Sequence, residues 1–341
     1  MKIGILTFHY CNNFGAVLQA YALRECLSQM GHEVYFVDYK LPILLHRYDY
    51  IPNYVRNKSL LKKVKYVIRE LGCFNKKRKK RNKFKQFRND FMPEVAIQDN
   101  SVDAWIVGSD QVWNPKITGG YDSVYYKNIG TDKPVLFYAV SCPAELMYEA
   151  PIAIIKEKRY PVGVREATMI NPLLSLGVKS EQVLDPVFLL TRKQWSNIQK
   201  HNIFSNPYIF SYNLSGSKEL PIVAKKLAQR YNCFNTLETD TLKESGPVDF
   251  ISLFSNAELT LVCSFHGTAF SIIFHKPFLF FPVHTQRDER ALSLLETLGL
   301  MNCVFNGDSE NVQIPTVNWD EVDMKLEQLI NISINFIRKI F

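Results

Sequence analysis

Between two apolar runs the chain reads Ser264-Phe265-His266-Gly267-Thr268. An imidazole, two hydroxyls and a glycine within five positions suit acid–base chemistry and anion binding. Histidine gives and takes protons near neutral pH. The preceding residues 259–263, LTLVC, read as a short buried strand. Residues 269–275 have helical character, and Pro277 stops them. Ligands of open α/β sheets collect outside the carboxyl ends of the strands. His266 is expected at such an end, with the first helix amides free to face an anion. A core histidine that caps the helix satisfies the same pattern.

Three further stretches carry candidate groups. In VGSDQVWNP, residues 107–115, Ser109 and Asp110 terminate a strand. Asp110 is the candidate general base, with a helix N-cap as its plain alternative. Trp113 suits a sugar face or a core equally well. Asn13 and Gly15 lie between the first strand and its helix, where backbone amides meet ligand oxygens. No GxGxxG pattern accompanies them, so a nucleotide fingerprint is absent. Arg165 ends the strand of PVGVRE, where a surface arginine would pair Glu166 or Asp185. His284, Arg287 and Arg290 follow in PVHTQRDER.

The elements that must position these groups alternate between strand and helix. Residues 2–7 read as a strand, 16–29 as a helix closed by Gly31, and 33–38 as a strand. That is a βαβ unit, so a parallel sheet with right-handed crossovers is expected. Helices are expected at 59–71 and 79–91, strands at 104–107, 135–139 and 160–164, and a helix at 166–176. A second α/β set begins with a strand at 208–212. It continues with a helix at 220–231, strands at 233–237 and 259–263 flanking a helix at 249–256, and a strand at 278–281. An amphipathic helix over 320–341 closes the chain.

The chain has 341 residues and a hydrophobic fraction of 47%, enough for two cores. The expected domains are 1–190 with a basic helical insert at 56–92, then 191–320, then the last helix, 321–341, returning to the first domain. Fifteen of the 41 lysines and arginines fall within that insert, against Glu70 and Asp90. The rest of the chain is net acidic. Such a run suits an anionic lipid surface, and a solvated helical face is the plain alternative. No nucleic-acid motif accompanies the charge, so no nucleic acid is expected as partner.

The seven cysteines are dispersed and form no CxxC pair, which suits a reducing cytoplasm and gives no zinc pattern. Cys11 and Cys142 sit near loop ends, where an inert thiol is the simpler reading. No run of 18 apolar residues appears, and the N-terminus reads as a strand, not a signal peptide. A cytoplasmic protein is expected, with peripheral contact at the inner membrane face.

Together the N-terminal MKIGILTFHYCNNFGAVLQAYAL, VGSDQVWNP, PVGVREATMINPLLSLGVKSEQVLDPVFLL and SFHGTAFSIIFHKPF resemble the polysaccharide pyruvyl transferase family. The resemblance covers nearly the whole chain, with the motifs in order. It implies two Rossmann-like domains facing a central cleft, the two-domain glycosyltransferase B-type fold. It implies transfer of a pyruvyl group from phosphoenolpyruvate to a sugar or lipid-linked oligosaccharide of a surface polysaccharide, with no cofactor or metal. Arg165 and His266 then bind the donor, with Asn13, Gly15, Ser264, Gly267 and Thr268 around it. His266 protonates it, Asp110 activates the sugar, and Ser109 and Trp113 contact the acceptor. Better-known members have Arg-Leu-His where this chain has Ser264-Phe265-His266, and a lysine in the loop after the next strand. Arg287 or Arg290 is expected to replace that lysine. A nucleotide-sugar glycosyltransferase and a non-catalytic glycan- or membrane-binding protein are the competing readings.

Overall fold

A computed structural model of the chain describes residues 1–47, 59–97, 99–126, 133–147, 149–199, 206–230, 235–285 and 288–340. The chain divides into two compact units, Met1–Leu190 with Leu329–Phe341, and Thr191–Gln328.

The first unit is built on seven parallel strands. These are β1 (Lys2–Leu6), β2 (Glu33–Val37), β3 (Glu94–Val95), β4 (Ala104–Asp110), β5 (Val135–Val140), β6 (Val162–Val164) and β7 (Ser180–Gln182), in the spatial order β3-β2-β1-β4-β5-β6-β7. The central strands are apolar along their length because both faces are covered. Every residue of β5 is buried, as are six of the seven of β4. Gly4 on β1 is required by packing, since a Cβ there would lie 2.2 Å from the Trp105 ring. The order reverses between β1 and β4. Chain connections leave β1 toward β2 on one side and return to β4 on the other, opening a crevice at the carboxyl ends of these two strands.

The basic insert is one helix, Leu60–Phe91, and not two. Residues 72–78 were expected to separate two helices, but the one glycine among them costs a helix interior only about 1 kcal/mol. Its C-terminal half is anchored on the helix Phe14–Gln29 by aromatic contacts. Phe84 lies 5.1 Å from Phe14, and Phe87 lies 5.5 Å from Tyr21. Lys80 lies over the Phe14 ring at 4.5 Å. Burial pushes its ammonium down to about 8.

The helix expected at 166–176 is a 3₁₀ turn, Ala167–Met169, followed by a short helix, Ile170–Ser175. At the chain end Ser333 Oγ accepts from Leu184 N at 2.9 Å, and the Phe336 ring leaves no room for a Cβ on Gly163. These contacts hold the last residues on the first unit.

The second unit carries four parallel strands, β8 (Tyr208–Tyr212), β9 (Asn235–Glu238), β10 (Leu259–Val262) and β11 (Phe278–Phe280), in the order β11-β10-β8-β9. Its reversal falls between β8 and β10. Helices Glu219–Arg230 and Pro247–Ser255 make the crossovers. Phe210, Phe250, Phe254 and Phe270 form an aromatic core beneath them.

Candidate active site

In the second unit the helix after β10 starts at Phe265, four residues earlier than its apolar pattern suggested. Ser264 is its N-cap, accepting from Gly267 N at 3.2 Å. The Ser264 carbonyl accepts from Thr268 N at 3.0 Å and from Thr268 Oγ1 at 3.1 Å. Ser264, Gly267 and Thr268 spend their polar groups on starting the helix, and Gly267 and Thr268 are buried. A Cβ on Gly267 would lie 2.9 Å from Tyr212 Cδ1, so the glycine is there for packing.

His266 is left as the reactive group of the motif. It is half-buried in the first helical turn, edge-on to Phe265 at 5.2 Å. It follows β10, at the edge where this sheet reverses its order. The loop after β8 closes on the same strand end, with Ser215 Oγ donating to Cys263 O at 3.1 Å. Beyond β11, Arg290 lies half-buried in the first turn of the helix Glu289–Leu298. Asp288 holds the preceding loop by accepting from Val283 N and Thr285 N. His284 is exposed in that loop, with a left-handed φ of 55°. Arg287 lies outside the described residues.

In the first unit the carboxyl ends of β4, β5 and β6 gather an acidic cluster. Asp110 is the last residue of β4, partly exposed and in the left-handed region at φ 81°. Its Oδ1 accepts from Gln111 N at 2.8 Å, and its carbonyl accepts from Ser141 N at 3.1 Å. Asn114, not Asp110, caps the next short helix, by accepting from Lys116 N. Ser141 Oγ donates to Glu166 Oε1 at 2.7 Å.

Arg165 is 6% exposed, so it is no surface residue. Its Nε donates to Glu166 Oε1 at 3.2 Å and its Nη1 to Asp185 Oδ2 at 2.9 Å. Burial opposes its charge. The carboxylates of Glu166, Asp185 and Asp110 outweigh that and push the guanidinium above its ordinary range. Three carboxylates around one cation make this end net negative. Arg165 braces Glu166 and Asp185.

Other expected contacts are also structural. Trp113 is 1% exposed, stacks on Tyr126 at 5.3 Å and donates from Nε1 to Tyr125 O, which is the core alternative of the two readings. Ser109 is fully buried, its carbonyl accepting from Thr7 Oγ1 at 2.9 Å. Asn13 is an exposed N-cap, accepting from Ala16 N, and Gly15 is buried in the helix it opens. Cys142 is buried and its thiol is pushed up to about 12, first by burial and then by Glu166 and Glu145, which removes it as a nucleophile.

The reversal point of this sheet holds polar groups that the sequence did not single out. Gln19 Nε2 donates to Thr7 Oγ1 at 3.0 Å, which in turn donates to the Ser109 carbonyl. His9 Nε2 lies 2.8 Å from Glu94 Oε1, stacked on Phe36, and Lys40 Nζ donates to Glu94 Oε2 at 3.0 Å. The available signal was a buried-face glutamine in an apolar helix and a histidine two residues after a strand. Among the described residues no group of three or more His, Cys, Asp or Glu could hold a metal, and no helix is long and apolar enough to cross a membrane.

The family model of the polysaccharide pyruvyl transferases matches residues 13–285, a span that takes in Asp110, the Arg165 brace and His266. The chain belongs to that family. No curated protein matches it. Among solved structures it is similar to the UDP-GlcNAc 2-epimerase from Neisseria meningitidis bound to UDP-GlcNAc. That similarity has 15% identity and a TM-score of 0.45, and it covers 98% of this chain and 93% of that one. The UDP-GlcNAc 2-epimerase from Methanocaldococcus jannaschii matches at 12% identity and TM-score 0.48, covering 97% and 93%. The glycosyltransferase SsfS6 from Streptomyces sp. SF2575 matches at 13% and 0.38, covering 97% and 96%.

Proposed function

We propose that this pyruvyl transferase family member moves the enolpyruvyl carbons of phosphoenolpyruvate onto two hydroxyls of one sugar, forming a pyruvate ketal. The acceptor class is a surface polysaccharide or its lipid-linked precursor. The observation that carries the reading is His266, half-buried in the first turn after β10, where the order of the second sheet reverses.

The chemistry assigns a task to each group. His266 protonates the methylene carbon of the donor, leaving a cationic centre at the carbon that bears the phosphate ester and the carboxylate. One sugar hydroxyl adds there, the carbon–oxygen bond to phosphate breaks, and the second hydroxyl adds. One hydroxyl proton restores the imidazolium and the other leaves with inorganic phosphate. The amides at a helix start favour a nearby anion, and Arg290 on the same unit supplies a fixed cation for the donor phosphate.

The net negative end of the first sheet suits hydroxyl groups better than a polyanion. Asp110 relays the sugar proton that leaves with inorganic phosphate. Glu166 is fixed by Ser141 and Arg165 as a second acceptor of sugar hydroxyls.

The test is transfer of carbon label from phosphoenolpyruvate into a soluble sugar acceptor, with equimolar release of inorganic phosphate. Sugar transfer from a nucleotide sugar to the acceptor, with no label incorporated from phosphoenolpyruvate, would sink the reading.

A further inference from the structure

A glutamine with no exposed surface in an apolar helix needs a reason. Gln19 is such a residue on the helix Phe14–Gln29, where methionine would fill a similar volume without a polar group. Its Oε1 has no hydrogen-bond partner among the described residues, so the amide persists although one of its atoms goes unused. Its contacts are made by Nε2, at 2.9 Å from Ala16 O and 3.0 Å from Thr7 Oγ1.

These contacts have a direction. Ala16 O is a carbonyl and only accepts, so it decides which end of the amide is nitrogen. Thr7 Oγ1 then accepts from Gln19, and its single proton is left to donate to Ser109 O at 2.9 Å. A turned amide would offer Oε1 instead and draw that proton away from Ser109. The relay runs wholly inside the first unit, since Thr7, Gln19 and Ser109 have no exposed surface.

The relay ends on one particular peptide, the one that joins Ser109 to Asp110. The peptide on the other side of Asp110 is held as well. Asp110 O accepts from Ser141 N at 3.1 Å, and Asp110 Oδ1 accepts from Gln111 N at 2.8 Å. Asp110 is thus pinned from both sides in the left-handed region, at φ 81°. A residue with a side chain keeps that conformation where its surroundings impose it. We propose that Gln19 is a positioning residue for Asp110, acting through Thr7 and the Ser109 carbonyl to aim the carboxylate. The inference rests on the reading of Asp110 as the group that relays a sugar proton.

Two readouts on the full chain separate the inference from that reading. Amide hydrogen exchange needs no substrate. Thr7→Val removes the hydroxyl and keeps the side-chain shape. Exchange at Gln111 and Ser141, whose amides donate to Asp110, should speed up by about tenfold or more, with β8 unchanged. Gln19→Met should act in the same direction, and Thr7→Ser, which keeps the hydroxyl, should restore the original rates. The second readout is turnover. Thr7→Val should lower kcat by about 10–10²-fold with donor KM nearly unchanged, the scale of a misplaced catalytic group. Added to Asp110→Asn, it should lower kcat no further, because the relay acts through that carboxylate. Unchanged exchange at Gln111 and Ser141 overturns the inference whatever the turnover. Faster exchange with kcat intact, in a protein whose Asp110→Asn variant loses turnover, overturns the inference and leaves the role of Asp110 standing. Turnover kept by Asp110→Asn removes that role and the inference with it. Protection lost across the whole sheet, with a lowered unfolding midpoint, would make the relay a support of the fold and overturn it too.

Discussion

Arg165 Nη1 donates to Asp185 Oδ2 at 2.9 Å, and neither side chain is more than 3% exposed. The pair ties the end of β6 to the segment after β7, and Glu166 joins it from the neighbouring position. Removing one member of a buried pair leaves the other charged and desolvated, at a cost of about 3–5 kcal/mol. Arg165→Ala should therefore lower the unfolding free energy by that much, read as a drop in the urea midpoint, and Arg165→Ala with Asp185→Asn should recover part of it. An Arg165→Ala protein with an unchanged midpoint and a raised donor KM would restore Arg165 to the donor site.

His266 should separate chemistry from folding. His266→Gln keeps a hydrogen-bonding side chain in the first helical turn but removes the acid. Turnover should fall by about 10²–10⁴-fold with little change in unfolding midpoint. Near-normal turnover with weaker donor binding would leave the imidazole a binding role only.

Asp110 sits at φ 81°, a conformation that Asn adopts as readily as Asp. Asp110→Asn should therefore keep the strand end intact while removing the base. Turnover should drop with donor KM nearly unchanged. Loss of folded protein instead would make the carboxylate a structural partner of the Arg165 cluster.

Much of this was legible along the chain, and the losses have physical causes. The strands β1, β8 and β10 and their helices follow from apolar period and from Gly31 and Pro277 as stops. The strands β3 and β7 were missed because they are two and three residues long, too short for a period. His266 was legible as a titratable group at a strand end. Ser264, Gly267 and Thr268 read as ligands because a capping serine and a binding serine look alike until the helix start is located. Trp113 depended on a tertiary partner, Tyr126, that no local pattern names, whereas the pairing of Arg165 with Glu166 and Asp185 was among the readings and only its burial was not legible.

Acid should weaken the first unit through Glu94. His9 hydrogen-bonds its carboxylate, Lys40 adds to that, and together they outweigh burial and hold it at about 2. A carboxylate depressed in the folded state contributes stability that is present above its unfolded pKa. That contribution is lost as pH falls through the folded value. The window is therefore between the ordinary glutamate range and about pH 2. Glu94→Gln should lower stability at neutral pH and flatten the acid limb of the stability curve. An acid limb of unchanged slope would show that the His9–Glu94 contact contributes nothing there.

The basic helix also predicts salt-sensitive contact with anionic lipid, at about 1 kcal/mol for each basic residue that reaches the surface. Lys76, Arg78 and Lys79 are exposed, whereas Lys80 packs over Phe14. Replacing the first three by serine should release the protein from anionic vesicles at low salt and leave its unfolding midpoint in place. Replacing Lys80 should instead cost packing against Phe14 and Phe84, which a stability measurement would register. Turnover on a soluble acceptor should survive the triple substitution, because none of the three lies near β4, β6 or β10 in sequence and none carries a role in the proposed chemistry. Vesicle binding equal to that of the unmodified chain would mean that this face is only solvated.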